Sequence, residues 1–255
     1  MKKIIKNVKM FLKDMKIFLR NIPSPVAIIF VVAVIVMNLL ANKSINLNLS
    51  FLALDTGIIV SWIIFLVLDI VTKHFGPKEA TMLSIFASVC NVGVALIFFV
   101  GSSISGSWGE SFDSLYPNVV NGALDNTFKG TWYVLFGSTI AFISSAVVNN
   151  LSNYSIGKLF KKNPDSVKAY CVRTYLSTMI GQFVDNFVFS LIVSHFFFGW
   201  TLVQCIMCSV TGMVVELICE IVFSPIGYKI SKKWKQNHIG DNYFEYLSTK
   251  KIQTR

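Results

Sequence analysis

The sequence predicts an all-α, polytopic membrane protein: a compact bundle of six transmembrane helices with both termini on the cytoplasmic side. Three observations carry that expectation. Of 255 residues, 54% are hydrophobic and only 14% are charged, at a mean hydropathy of +0.62, whereas a soluble domain carries roughly 25% charged residues. The apolar residues gather into six runs of bilayer length. The basic residues fall between those runs, with a strong bias to alternate loops.

The runs are 24–41, 53–71, 80–101, 131–152, 172–195 and 199–223. Each is near the roughly 20 helical residues that a hydrocarbon core requires. With the N-terminus inside, 21 of the 23 Lys and Arg residues lie in cytoplasmic segments. Seven precede the first run, Lys73 and Lys78 occupy the next inner loop, Lys158, Lys161, Lys162, Lys168 and Arg173 the following one, and seven follow the last run. Lys43 and Lys129 fall outside, together with Glu110, Asp113 and Asp125. Every loop obeys the positive-inside rule, so helix count and orientation support one another. Topology thereby accounts for the net charge of +10, and no nucleic-acid partner is expected.

Three regions follow. Residues 1–22 form a basic segment with apolar positions at helical spacing. Lys6, Lys9, Lys13 and Lys16 interrupt the apolar core that a cleaved signal needs, so an amphipathic helix on the anionic cytoplasmic face is expected. Residues 23–230 form the six-helix domain, and 231–255 a basic cytoplasmic tail. Between the third and fourth runs, residues 102–130 read as an outer loop, either a lid over a central site or a surface loop with amphipathic anchoring. Ser224-Pro225 is expected to end the last helix.

No cofactor or metal is expected. Cys90, Cys171, Cys205, Cys208 and Cys219 lie in or beside apolar stretches, and the Cys205-x-x-Cys208 pair lacks a second pair or a nearby His. No phosphate loop, zinc helix motif or nucleophile elbow appears, so the chain is not expected to be an enzyme.

The informative residues are charges that lipid rejects. Asp185 lies near the middle of the fifth run, Glu216 and Glu220 in the sixth, and Asp69 toward the inner end of the second. An ionised carboxylate facing lipid costs about 2.5 kcal/mol or more, so these groups should face a bundle interior or a water-filled path. Gln182 and Asp185 share a helix face, bordered by Asn186, and Glu216 and Glu220 share another. With no basic residue at comparable depth, the positive partner is a proton or a cationic substrate. Structural hydrogen bonding between helices is the competing reading. Asp69 can instead pair with Lys73 one turn on. Asn149 and Asn150 can read a heterocycle edge or bridge helices, and Arg173 is either a topological anchor or half of a gate ion pair. His195 reads as interfacial. A short echo links Ser138-Thr139 and ISSAVVNN with Ser177-Thr178 and IGQFVDN, hinting at a duplication or a paired site wall.

Three stretches carry a resemblance: WIIFLVLDIVTKHFGPKEA at 62–80, RTYLSTMIGQFVDNFVF at 173–189 and FSPIGY at 223–228. They resemble the queuosine-precursor transporter family, also described as vitamin-uptake-type transporters, over residues 25–230. The resemblance implies a compact six-helix bundle and uptake of a 7-deazaguanine base (preQ0, preQ1 or queuine) salvaged for tRNA modification. It assigns functional roles to Asp69, Gln182 and Asp185. A second Gly-Gln-x-x-Asp pattern in the fourth helix is replaced here by Ser145, Ala146 and Asn149, and Ser224 stands where Thr is common.

The partners implied are a nucleobase-like, cationic small molecule, the bilayer, a coupling proton, and either a second copy or separate energising subunits. A substrate-binding subunit of an energised importer, an intramembrane enzyme and a structural membrane protein are the alternatives.

Overall fold

A computed structural model of the protein describes residues 2–45, 47–159 and 167–253. The described elements are α1 (Lys2–Asn21), α2 (Ser24–Leu40), β1 (Ser44–Ile45), β2 (Leu54–Asp55), α3 (Ile58–His74), α4 (Pro77–Gly101), α5 (Pro117–Leu159), α6 (Val167–Phe189), a π-helical turn Ser190–His195, α7 (Phe196–Phe198), α8 (Leu202–Gln236) and α9 (Asp241–Gln253). Apart from the antiparallel pairing of β1 with β2, the fold is helical.

Four stretches are long and apolar enough to cross a membrane: Pro77–Gly101, Pro117–Leu159, Tyr175–Phe198 and Leu202–Phe223. A fifth arises if α1 and α2, bent by 114° at their junction, count as one broken span. The fold is therefore polytopic and α-helical, with four or five spans of full length. α2 and α3, at 17 residues each, are about 25 Å long, at the lower limit for spanning.

Two expectations need correction. The stretch 102–130 is not a loop throughout, because α5 begins at Pro117, whose fixed φ suits a first helical position. The helical extension is held by Trp108, whose backbone N–H donates to Asn121 Oδ1 at 2.8 Å and whose indole N–H donates to Asp125 Oδ1 at 2.8 Å, while its ring stacks on Phe128 at 5.0 Å. Helix six does not stop at Pro225, which lies inside α8. Proline removes one backbone donor but is tolerated in helices built for membranes, where neighbouring groups re-satisfy the freed carbonyl. The fifth run is one span, Tyr175–Phe198, within which Ser190–His195 widens into a π turn.

The chain divides into two compact units. The first comprises Met1–Ile35, Val60–Cys90 and Cys219–Arg255. Its centre is Asp14, 2% exposed on α1. Lys250 donates to both carboxylate oxygens at 2.7 Å, Lys78 to Oδ2 at 2.9 Å and the Tyr246 hydroxyl to Oδ1 at 2.8 Å. Burial would raise this carboxyl, but the hydrogen bonds from Lys250, Lys78 and Tyr246 outweigh it and hold Asp14 below the ordinary carboxylate range. Beside it the buried Tyr243 hydroxyl donates to Glu79 Oε1 at 2.7 Å. Phe75 packs edge-on to Phe18 at 5.2 Å and stacks on Phe244 at 5.6 Å. Gly240 has a φ of +86°, and a Cβ there would collide with the Phe75 ring. The turn therefore requires glycine on both counts.

The second unit comprises Val36–Ile59 and Asn91–Ile218. Here α5 packs along α6. The π turn docks on α5 through Gly137, where a Cβ would collide with the Val193 side chain. Tyr133 donates its hydroxyl to the Ile192 carbonyl at 2.8 Å, satisfying one of the carbonyls whose bonding a π turn shifts.

Removing the Asp14 charge tests the first unit. Asp14→Asn should lower unfolding free energy by roughly 2–3 kcal/mol at pH 7, since it strips charge-assisted bonds from a buried site. A depressed folded pKa contributes stability that is fully present above the unfolded value near 3.9 and is lost as pH falls through the folded one. The gap between wild type and variant in thermal melts should therefore be full at neutral pH and close below about pH 4.

Candidate functional site

In the second unit, α6 places Gln182, Asp185 and Asn186 on one face, as the spacing of three and four requires. All three are partly buried. The Asn186 side-chain amide donates to the Gln182 carbonyl at 3.0 Å and to Glu216 Oε1, on α8, at 3.2 Å. Gly212, one turn before Glu216, makes that bridge possible: a Cβ there would lie 2.9 Å from Asn186 Nδ2. No ion pair or hydrogen bond reaches Asp185 among the described residues. Gln182 Oε1 is buried without a hydrogen-bond partner among them. The cluster is thus rich in acceptors and short of donors, and desolvated acceptors of this kind favour a ligand that brings N–H groups or positive charge.

Asn149 on α5 meets α6 at Gly181, where a Cβ would lie 3.0 Å from the Asn149 Cβ. The two halves of the sequence echo are thereby in contact. Phe183 and Phe187 lie parallel at 5.9 Å along α6, a flat apolar stack beginning one residue from Gln182.

Sequence reasoning missed Gly212 and Asp55. Asp55 Oδ1 accepts the Gly57 N–H at 2.8 Å. Its position at the edge of an apolar run makes it look like an interfacial residue. The Asp-x-Gly spacing is the one signal of the local bond.

In the first unit, Asp69 is paired with Lys73 at 2.7 Å, the pairing that the i,i+4 spacing allows. Both side chains keep appreciable solvent contact, so the pair stabilises little. Gly227 of α8 lies against this carboxylate, a Cβ there falling 2.6 Å from Asp69 Oδ2, and Trp62 stacks on Phe223 at 5.2 Å. The two stretches 62–80 and 223–228 are therefore packed together. The side chains of Arg173, Glu220, Asn150 and Cys171 lie outside the described residues. His195 sits in the π turn, its Nδ1 bonded to the Trp200 carbonyl.

Acidic side chains inside long apolar helices mark a functional polar region of a membrane protein, and the family match makes the class that of a membrane transporter. The family described as "Putative vitamin uptake transporter" matches residues 55–230, more than two thirds of the chain, and the chain belongs to that family. It is a family of transporters and not of enzymes. No curated protein and no solved structure matches the chain.

The Gly212 contact yields a direct test. Gly212→Ala should displace Asn186 from Glu216 and destabilise the protein by about 1–3 kcal/mol through overpacking. Gly93→Ala, where nothing lies within 4 Å, should not destabilise it, as melts of the two variants in one detergent would show.

Proposed function

We propose that this chain imports a 7-deazaguanine queuosine precursor across the cytoplasmic membrane as a secondary carrier or facilitator. The observation that carries the reading is the α6–α8 cluster: a buried Gln182 oxygen without a donor, and two carboxylates, Asp185 and Glu216, without a basic partner among the described residues. A deazaguanine edge offers ring N–H and exocyclic amine donors to such acceptors. PreQ1 and queuine add an amine that is protonated at neutral pH, which matches the acidic site better than preQ0, where that amine is missing. The parallel Phe183 and Phe187 rings offer a stacking surface for a flat base.

In this reading six helices cross the bilayer, α2 and α3 serving as short spans, with both termini cytoplasmic. The basic-residue bias supports that orientation. Gln182, Asp185 and Asn149 contact the base, Asn186 holds Glu216 in place, and Glu216 carries the coupling proton. Asp69, Glu220 and Arg173 are further candidates for coupling, by their positions in the sequence.

The test is accumulation of labelled preQ0, preQ1 and queuine by cells that cannot synthesise the base. Wild type should accumulate preQ1 or queuine, and Asp185→Asn should reduce accumulation by roughly tenfold or more, the worth of a charged hydrogen bond. Glu216→Gln keeps an acceptor for Asn186, so loss of stimulation by an inward proton gradient in that variant isolates the charge. Equal accumulation in cells with and without the protein, with the protein shown in the membrane, would sink the proposal.

A further inference from the structure

α1 is amphipathic in three stripes rather than two, and the packing of the first unit decides which stripe faces outward. Asp14 and Phe18, 2% and 0% exposed, face inward onto α9 and Phe75. Next around the helix run Ile5, Val8 and Leu12, spaced three and four apart and 49%, 51% and 50% exposed. Beyond them lie Lys9 and Lys16, then Lys6, Lys13 and Arg20, all exposed. The one acidic residue of α1 is the buried Asp14, so its outward surface carries no acidic group. α1 also turns 114° from α2. When α2 crosses the bilayer, α1 runs close to the plane of its surface.

We infer that α1 is a binding surface for anionic phospholipid, its Ile5–Val8–Leu12 stripe entering the headgroup boundary and its lysines pairing with lipid phosphates. An in-plane helix of this make-up binds by buried apolar area plus attraction to anionic lipid. The Asp14 cluster makes the surface rigid, because the face that could otherwise roll toward the bilayer is bonded to α9 and to Lys78. This inference is independent of the substrate proposed above.

The experiment is hydrogen exchange of the full-length protein in nanodiscs of neutral phosphatidylcholine and in discs containing phosphatidylglycerol. Peptides covering residues 5–20 should exchange at least about tenfold more slowly in the anionic discs, an effect worth little more than one surface lysine. Raised salt should abolish the difference. The triple variant K6E/K9E/K16E should also abolish it while leaving exchange in α9 unchanged, which shows that the clasp still forms. Equal exchange of α1 in both discs, or lipid-dependent protection that persists in raised salt, would overturn the inference. Where the triple variant fails to fold, the lipid and salt comparisons on the wild type decide alone.

Discussion

Hydrocarbon offers no hydrogen bond to a peptide group and no solvation to a carboxylate, and both denials shape this chain. The first leaves the helix as the form for each long apolar run. The second turns every internal acid into a demand that the protein or a solute must meet. Glu216 has its demand partly met by the Asn186 amide, and Asp69 by Lys73. Asp185 and the Gln182 oxygen have theirs met by nothing among the described residues. Polarity here is graded from satisfied to unsatisfied.

Much of this is legible in the sequence because cost is local. A carboxylate in an apolar run is conspicuous whatever surrounds it, so Asp185, Gln182 and Glu216 stand out from the pattern of residues alone. The helical runs are legible for the same reason. What the pattern does not reveal is anything decided by a distant neighbour. The 117–130 stretch is polar enough to read as loop and becomes helix with Trp108 bonded along it. Pro225 reads as a terminator and sits inside a helix. Gly212 looks ordinary until the Asn186 amide is placed against it.

Small residues do much of the positioning. Gly181, Gly212, Gly227 and Gly137 each stand where a side-chain carbon would crowd the neighbouring helix or turn. Close approach between helices in membranes depends on such residues, because lipid tails supply little hydrophobic drive for association. Three of the four face a polar side chain: Asn149, Asn186 or Asp69. The same economy that brings helices together thus brings the amides and carboxylates into register.

The Asp14 cluster joins residues more than 230 positions apart. At synthesis rates of about 5–20 residues per second, Asp14 leaves the ribosome roughly 10–50 seconds before Lys250 exists. Through that interval the first helix has an acid with two of its later donors still unmade. The clasp is therefore a late event in biogenesis, closed after the spans have been inserted, and its closure registers that translation has passed through α9.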